Sequence, residues 1–531
     1  FDGTVAVPIT DQELAEVRQR AEASGAEAFA VCFLHSYANP ATEEAVASAL
    51  EPLGRPLSVS HRLLNEYREY ERACTTVVNA YIAPRMVTHL SNLERQLPGA
   101  GLRVMQSNGS AIGPRLAREE PVRTILSGPA AGVVGASALV RAMGADRFIT
   151  FDMGGTSTDV SLFDRAPRIR TLSYPDGYAV RTPVIDIHTV GAGGGSIASV
   201  DAGGSLKTGP ESAGARPGPA CYGEGELPTV TDADLFAGRL VASNFLGGQM
   251  KLYPDRAANA IGKLARAMKS DAITAARGVI RVVNANMERA VRLITVERGY
   301  DPRDFALMAF GGAGPMHACE LALDLGIKHV ILPRNPGLLC AWGALGAPLG
   351  REYSLTVRET NPQFERLMMR ARPLIARARK ELASDGAAVT AIRNEVRADV
   401  RYRGQSYEIE VKLSPNLIVD FHEAHRRTFG YAAPEAAVEV VNLRLRAEAP
   451  GPGSAIARIP RTSAKSTIAG HADVLAGTAR RKLPIYARET IGAGTKLKGP
   501  MIVVELSATA YVAPEFSLRC DDYGNLHLEA R

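Results

Sequence analysis

The sequence has 531 residues, of which 46% are hydrophobic and 22% are charged. A chain of this length predicts several buried cores, because single domains contain roughly 150 residues. The net charge of +6 is small for this length, and no dense Lys/Arg tract is interleaved with aromatic residues, so binding to nucleic acid is not indicated.

Cysteine spacing and hydropathy further narrow the classes of protein to which the chain can belong. The six cysteines form no CxxC pair, which argues against a zinc site or a disulfide framework and favours a reducing cytoplasm. The longest apolar stretches, such as residues 28–34, are far shorter than the roughly 20 residues that cross a membrane. No signal peptide is visible. The chain begins at Phe1, next to a predicted strand at residues 4–8, so we expect a fragment or a processed chain.

The N-terminal part predicts alternating strands and helices. Helices are predicted at residues 11–24 and 40–50, with a strand at 28–34 between them, as in a βαβ layer. Residues 63–97 predict a further helix, which Pro84 should end or kink. Small residues at 127–132 open an Ala- and Val-rich helix.

The middle of the chain is rich in strands and turns. Strands are predicted at 148–151 and 159–163, and later strands lead to a glycine cluster at 191–195. Apolar residues three or four apart predict a long helix over 272–298 that Gly299 ends. Beyond residue 350, a helix at 363–384, strands within 394–413 and a helix near 420–429 favour a separate α+β domain.

The first candidate site is the octet at residues 152–159, which joins two predicted strands through a Gly-Gly turn. A P-loop or a dinucleotide-binding turn requires a helix after the glycines and its own signature, and neither is present. Backbone N–H groups of the turn and the hydroxyls of Thr156, Ser157 and Thr158 suit phosphate oxygens, and Asp152 and Asp159 suit Mg²⁺ held through water. An ordinary hairpin turn is the alternative.

Two further glycine segments accompany the octet. Gly311, Gly312 and Gly314 lie between a predicted strand (305–310) and a predicted helix (315–325), where a flat ring can approach the backbone. A phosphate hairpin, a long helix and a Gly-Gly turn follow one another in the second lobe of actin, sugar kinases and heat-shock ATPases, and this order resembles theirs. The loop at 191–195 also permits close approach of a ligand.

Several reactive side chains near these segments have a structural alternative. His188 and Asp186 suit a metal or substrate, although a hydrogen-bonded structural histidine is the commoner case, and the same applies to His317. Cys221 is interpreted as a packing residue rather than a nucleophile, because no basic partner is evident.

Together these segments resemble the hydantoinase A and 5-oxoprolinase family, which includes the ATP-using subunits of acetone and acetophenone carboxylases. The resemblance spans most of the chain. It rests on residues 71–72, 79–81, 127–135, 151–160, 190–197, 215–223, 228–233, 288–300, 310–317, 429–431 and 522–526.

The resemblance implies an α/β fold of two actin- or sugar-kinase-like ATPase lobes followed by a C-terminal α+β domain. The expected ranges are 1–145 for the rest of an incomplete first lobe, 146–350 for the second lobe and 351–531 for the last domain. Family members usually carry a phosphate hairpin near the N-terminus, and this chain contains one such octet, so we expect an N-terminal truncation. Residues 224–226 and Asp234 also depart from the family pattern.

The resemblance implies ATP and Mg²⁺ as cofactors. Asp152 and Asp159 are expected to act in catalysis through Mg²⁺, Gly154, Gly155, Thr156, Ser157 and Thr158 to bind phosphates, and Gly311, Gly312 and Gly314 to bind adenosine. Gly193, Gly194 and Gly195 are expected at the nucleotide or the substrate.

The expected activity is ATP-dependent opening of a cyclic amide, namely a hydantoin, 5-oxoproline or a lactam, by phosphoryl transfer with a hydantoinase B-like partner subunit. A ketone carboxylase subunit and a non-catalytic truncated family member are the alternatives. A sugar kinase fits less well, because it would not share the C-terminal domain.

Overall fold

The computed structural model describes residues 3–5, 7–453, 456–461 and 466–531. Helices and strands alternate through much of the chain, so the expected mixed α/β class is confirmed. The helices, in chain order, are α1 (Asp11–Ala23), α2 (Ala41–Leu50), α3 (Ser60–Leu63), α4 (Glu69–Gln96), α5 (Pro114–Glu119), α6 (Ser127–Met143), α7 (Val230–Phe236), α8 (Pro254–Ala267), α9 (Ala272–Ile294), α10 (Gly314–Leu325), α11 (Leu339–Gly346), α12 (Phe364–Ser384) and α13 (Leu417–Phe429).

The strands, in the same order, are β1 (Phe29–Val31), β2 (Leu57–Val59), β3 (Val104–Met105), β4 (Ala111–Ile112), β5 (Arg147–Met153), β6 (Thr158–Asp164), β7 (Ala166–Pro167), β8 (Ile169–Arg170), β9 (Val184–Ile185), β10 (Ile187–Val190), β11 (Ser196–Val200), β12 (Leu206–Ser212), β13 (Ala306–Phe310), β14 (His329–Leu332), β15 (Leu349–Thr360), β16 (Arg393–Tyr402), β17 (Ile409–Lys412), β18 (Val438–Ala449), β19 (Ile468–Ala476), β20 (Ala479–Ala487), β21 (Lys496–Lys498), β22 (Met501–Val504), β23 (Thr509–Val512), β24 (Phe516–Cys520) and β25 (Leu526–Ala530).

The described residues form two compact units, and each is discontinuous in sequence. The first unit contains those of Phe1–Ser127, Ile169–Val184 and Ala347–Gly453. The second contains those of Gly128–Arg168, Ile185–Gly346 and Ser454–Arg531. The three consecutive domains expected from the sequence, at 1–145, 146–350 and 351–531, stay a prediction, as do the two actin-like lobes.

In the first unit, one sheet runs in the order β17-β16-β18-β15-β4-β3. Helices α12 and α13 cover it, because each carries an apolar stripe: Leu367 and Ala371 of α12 and Phe421 of α13 are buried against Val400 and Leu443. Strands β1 and β2 pair in parallel beside α2, as in the predicted βαβ layer.

In the second unit, the central sheet runs in the order β10-β6-β5-β13-β14-β25-β24-β21, and β7 pairs with β6. Strand β5 is antiparallel to β6 and parallel to β13, so the β5–β6 turn and the end of β13 meet at one edge of the sheet. Helices α9 and α10 pack on this sheet through apolar residues such as Met287, Val291 and Met316. The position of the candidate site follows from this arrangement.

A second sheet of the same unit has the order β19-β20-β22-β23. Strands β22 and β23 are joined by the turn at 505–509, which includes Thr509, the first residue of β23. In this turn the Glu505 N–H donates to the Ala508 carbonyl oxygen at 3.1 Å. Strand β23 packs on α10. Thus the C-terminal part of the chain shares a unit with the predicted phosphate hairpin.

Most predicted elements are confirmed, including the helices α1, α2, α9, α10, α12 and α13 and the β5–β6 hairpin. Two expectations are wrong. The described residues of the predicted strand at 4–8 form no strand, and Ala6 lies outside the described residues. Pro84 does not end α4, which continues to Gln96, because one missing N–H donor removes a single hydrogen bond from a 28-residue helix, and the alternative of a kink at Pro84 stays a prediction.

No helix in the described part of the chain combines the length and the apolar character that a membrane span requires.

Candidate functional site

The centre of the candidate site is the β5–β6 hairpin. Asp152 pairs with Asp159 and Met153 with Thr158, and the Gly154 N–H closes the turn on the Ser157 carbonyl oxygen at 3.1 Å. Gly155 and Thr156 are exposed at its tip. The turn therefore presents backbone and hydroxyl groups to a ligand, as the sequence predicts.

The glycine loop at 191–195 supports this turn from one side. The Gly194 N–H donates to the Gly154 carbonyl oxygen at 3.0 Å, and the Gly195 N–H donates to that of Gly155 at 2.6 Å. A Cβ atom on Gly193 would lie 2.7 Å from backbone atoms of Gly155 and Thr156. Glycine is required at 193 because the two backbones touch, so this loop positions the turn.

The segment at 311–314 supports the hairpin from the other side. Gly311 has a φ of +80°, and a Cβ atom there would collide with the Met153 carbonyl oxygen and with Asp152 Oδ1. The Ala313 N–H donates to the Met153 carbonyl oxygen at 3.0 Å, and Gly314 packs on Phe151 at the start of α10. Gly312 is exposed and free of such packing.

The predicted carboxylate pair lies at the base of the turn. Directly opposed residues in an antiparallel pair have Cβ atoms about 5 Å apart, so Asp152 and Asp159 feel each other's charge. Burial, opposed by the Cys340 thiol that donates to Oδ2 at 3.1 Å and assisted by the charge of Asp159, raises the pKa of Asp152 to about 6. Burial also raises the pKa of Asp159, against the hydrogen bond from the Thr189 hydroxyl and the charge of His188.

These two carboxyl groups fit Mg²⁺ chemically. In the described part of the chain, no group of three or more His, Cys, Asp or Glu side chains is arranged to hold a metal ion. Mg²⁺ does not need such a group, because it keeps several waters and takes one or two carboxylates together with substrate phosphates. A half-buried acidic pair with raised pKa values is stabilised by a divalent cation.

A cavity of about 170 Å³ opens beside the turn. Among the predicted residues, Gly154, Gly155, Gly194 and Gly312 line it. Two segments that the sequence analysis missed also line it, the turn at 505–509 and the 3₁₀ segment Ala242–Gly248, whose backbone is non-helical at 245–247. The remaining lining residues are Tyr222, Thr231, Leu240, Ala313 and Met316. Glu505 alone among the lining residues carries a charge, and this acidic residue at the end of an apolar strand was the available signal.

The structure separates the predicted glycines by environment. Gly193, Gly195, Gly311 and Gly314 pack against the hairpin or its supporting strands, whereas Gly154, Gly155, Gly194 and Gly312 line the cavity. Thr158 differs from the expectation: its side chain is fully buried and its hydroxyl donates to the Ala192 carbonyl oxygen. We correct the predicted phosphate contact of the Thr158 hydroxyl, because that hydroxyl ties β6 to the glycine loop.

The remaining reactive side chains have structural partners. Arg298 forms an ion pair with Asp186. The buried His317 has Nδ1 2.9 Å from Asn284 Oδ1 and Nε2 3.2 Å from Asp234 Oδ2. Cys221 is fully buried, and burial raises the pKa of its thiol. These contacts favour the structural alternative for His317 and Cys221. His188 pairs with Val160 across β10 and β6, which brings it close to Asp159.

Comparison with known families covers nearly the whole chain. The model described as "Hydantoinase/oxoprolinase" matches residues 72–353, that of the family's N-terminal region matches residues 1–54, and that of its C-terminal domain matches residues 362–531. The match at residues 1–54 leaves the expected N-terminal truncation unsupported.

Individual relatives agree with the family models. The chain is 34% identical to the caprolactamase subunit alpha of Pseudomonas jessenii, over 93% of this chain and 75% of that protein. It is 30% identical to the acetophenone carboxylase gamma subunit of Aromatoleum aromaticum, over 99% of this chain and 77% of that protein. The solved ATP-dependent caprolactamase of Pseudomonas jessenii superposes with a TM-score of 0.84 and 32% identity, over 100% of this chain and 81% of that chain.

The central family model alone spans more than half of the 531 residues, and both relatives extend over almost all of them. The chain belongs to the hydantoinase/oxoprolinase family.

Proposed function

We propose that this chain is the ATP-using subunit of a cytoplasmic enzyme that opens a cyclic amide, namely a hydantoin, 5-oxoproline or a lactam. In this proposal the chain transfers the γ-phosphoryl group of ATP to the amide carbonyl, and a hydantoinase B-like partner subunit completes the ring opening. The proposal names Mg²⁺ as the metal cofactor.

The observation that carries the proposal is the convergence of three glycine segments on one turn. The hairpin turn lies between the loop at 191–195 and the segment at 311–314, with Asp152 and Asp159 below it and the cavity beside it. Phosphoryl transfer needs positioning and charge stabilisation more than a strong protein nucleophile. A rigid turn of N–H and hydroxyl groups above two carboxylates supplies both.

Each segment has a role in the proposal. Asp152 and Asp159 hold Mg²⁺, directly or through water, and the metal when bound neutralises charge on the phosphates. Gly154, Gly155, Thr156 and Ser157 contact phosphate oxygens, while Thr158 contributes backbone only. Gly312 and Gly194 lie against the nucleotide, and Gly193, Gly195, Gly311 and Gly314 keep the turn in place.

The proposed reaction is a phosphoryl transfer followed by two additions of water. The bond between the γ-phosphorus and the bridging oxygen of ATP breaks, and a bond from that phosphorus to the amide oxygen forms, so ADP leaves with the electron pair. The phosphorylated carbonyl carbon is more electrophilic than the amide. One water then adds to that carbon as the ring C–N bond breaks and the nitrogen takes up a proton. A second water releases phosphate.

The relatives support the substrate class and the need for a partner. One relative is named for caprolactam hydrolysis and is a subunit alpha, and its solved counterpart is described as ATP-dependent. The identity of the partner subunit and of the ring substrate belong to the proposal.

A ketone carboxylase subunit is the second candidate. The 30% identity to the acetophenone carboxylase gamma subunit over 99% of this chain favours it. Phosphorylation of a ketone enolate oxygen would use the same turn and the same carboxylates, so the substrate distinguishes the two candidates.

The test is ATP hydrolysis by the chain, alone and with its partner subunit, with hydantoin, 5-oxoproline, caprolactam or acetophenone added. We expect a cyclic amide to stimulate ADP release, and Asp152→Asn to lower that rate at least about 100-fold because charge stabilisation is lost. Asp164→Asn is the matched control, because Asp164 lies at the other end of the same β5–β6 hairpin, on strand β6, and forms an ion pair with Arg147 at 3.2 Å. Stimulation by acetophenone alone would favour the carboxylase, and an Asp152→Asn rate equal to wild type would favour a non-catalytic family member.

A further inference from the structure

The cavity beside the phosphate turn has two walls that the proposed phosphate chemistry does not use. One wall is the 3₁₀ segment Ala242–Gly248, and the other is the turn at 505–509. The two walls touch, since a Cβ atom on Gly247 would lie 2.7 Å from Leu506 Cδ1. Together they enclose a space that the hairpin glycines do not fill.

The walls present flat and apolar surfaces to this space. Phe245, Leu246 and Leu506 line it, and the Tyr222 ring lies 5.6 Å from the Phe245 ring. Leu246 and Leu506 are 44% and 57% exposed, so both side chains are accessible to a ligand in the cavity. An aromatic and aliphatic lining of this kind suits a planar heterocycle.

The segment at 311–312 contacts both the β5–β6 hairpin and the 505–509 turn. Gly311 packs on Asp152 and Met153, Gly312 follows it, and the position of a Gly312 Cβ atom is 3.7 Å from the Ser507 carbonyl oxygen. Glu505 and Leu506 precede Ser507 in the same turn. Gly154, Gly155 and the 505–509 turn line one cavity, so a nucleotide with its phosphates at Gly154 and Gly155 would extend its base towards that turn.

Glu505 is the charged group in this lining. Its carboxyl is largely buried, so its pKa rises to about 7, while the nearby Arg488 and the backbone of Asn335 lower it and Glu489 raises it. A carboxyl group beside a triphosphate would repel it, so this residue suits the opposite end of the ligand. Buried polar groups in a site built to hydrogen-bond a ligand reject analogues that leave them unpaired.

We propose that Glu505 is a specificity residue that accepts a hydrogen bond from the exocyclic amino group of a 6-aminopurine, and so selects ATP over 6-oxopurine nucleotides. This inference rests on the proposed nucleotide site. Above pH 7, where the Glu505 carboxyl is ionised, the 6-oxo group of inosine or guanosine would place a carbonyl oxygen against the carboxylate, and two acceptors would face each other without a proton.

The test compares ATP with ITP, which differ at the 6-position of the base. Binding of each Mg²⁺ nucleotide is measured at about pH 8.5, where the Glu505 carboxyl is ionised, by isothermal titration to the wild-type chain and to Glu505→Gln. We expect wild type to prefer ATP roughly 10- to 100-fold, and Glu505→Gln to discriminate less than about threefold, because an amide both donates and accepts. Glu489→Gln is the matched control: Glu489 is exposed, lies near Glu505 and does not line the cavity.

A second variant tests the location of the base. Leu506→Ala removes an exposed wall, so folding is preserved, and we expect it to weaken ATP and ITP equally, by about three- to tenfold. Unchanged affinity in Leu506→Ala, or full ATP preference in a folded Glu505→Gln, overturns the inference while leaving the nucleotide site intact. Absence of binding of either nucleotide to wild type overturns the proposed function, and the base pocket with it.

Discussion

Three acidic side chains dominate the electrostatics of the second unit's candidate site. Asp152 and Asp159 face each other across the hairpin, and Glu505 lines the cavity, each with a pKa raised mainly by burial. Carboxyl groups held this way destabilise the ligand-free fold once they ionise. The proposed function gives a physical reason for keeping them, since a bound cation and a hydrogen-bond donor of the ligand would compensate the charge.

The pH dependence of stability tests the environment of Glu505. Its pKa is raised from the ordinary 4.5 to about 7, so the folded state holds the proton longer than the unfolded state. The stability that this group contributes is present below pH 4.5 and is lost as the pH rises to about 7. We expect the unfolding free energy of ligand-free wild type to fall about 1 to 3 kcal/mol more than that of Glu505→Gln between pH 5 and pH 8.

Urea unfolding at a series of pH values measures this difference. Ionisation of Asp152 also lowers the unfolding free energy between about pH 4 and pH 6. This decrease is the same in wild type and in Glu505→Gln, so it cancels in their difference. Glu489→Gln should stay close to the wild-type curve, because Glu489 is exposed and its charge is the smallest of the named causes that act on the pKa of Glu505. Parallel curves for wild type and Glu505→Gln would show that the Glu505 carboxyl is solvated.

The glycine loop at 191–195, between β10 and β11, holds the turn of the β5–β6 hairpin in place through hydrogen bonds to Gly154 and Gly155. Gly193→Ala places a methyl group 2.7 Å from the backbone of Gly155 and Thr156, and backbone atoms have little room to move. We expect the unfolding free energy to fall by about 1 to 3 kcal/mol. MgATP affinity should fall about tenfold or more, because the turn is displaced.

Gly262→Ala is the matched glycine control. Gly262 lies within α8, and nothing lies within 4 Å of an added Cβ atom, so the substitution should stabilise the chain by about 0.5 to 1 kcal/mol and leave MgATP binding unchanged. Both variants are compared by thermal unfolding and by titration with MgATP. Wild-type affinity in Gly193→Ala would mean that the loop does not set the geometry of the turn.

Local sequence patterns predicted the helices and the β5–β6 hairpin well where the spacing of apolar residues and the turn residues agree. The stripe of apolar residues on α9 and the Gly-Gly turn between two short apolar runs are both local signals. Pro84 was misleading, because the packing of α4 maintains the helix across one lost hydrogen bond. The turn at 505–509 was not predicted as part of the site, because its distance of roughly 350 residues from the octet leaves no local pattern.

The roles of individual site residues were harder to predict than the segments that contain them. The sequence predicted which segments meet, but a glycine that touches a ligand and a glycine that touches a neighbouring backbone look the same in a sequence. Gly312 lines the cavity, whereas Gly311, its neighbour, packs on Asp152 and Met153. Thr158 was assigned to phosphate because its neighbours Thr156 and Ser157 are turn residues, yet it is the first residue of β6 and points inward.

For the chain as a whole, the proposed function assigns nucleotide binding and ring opening to different polypeptides. We expect this chain alone to bind MgATP, and release of the ring-opened amino acid from a cyclic amide to require the partner subunit. The measurement is product formation by the chain alone, by the partner alone and by the two purified together. Ring opening by the chain alone at the rate of the complex would contradict this division of labour.

The most direct test of the central claim is isothermal titration of MgATP into wild type, Asp152→Asn and Asp164→Asn. We expect saturable, Mg²⁺-dependent binding to wild type and to Asp164→Asn, and a loss of affinity of about tenfold or more in Asp152→Asn, because one of the two carboxylates below the turn has gone. Binding to Asp152→Asn as tight as to wild type, or no saturable heat with wild type, would contradict the assignment of the β5–β6 hairpin as the ATP site.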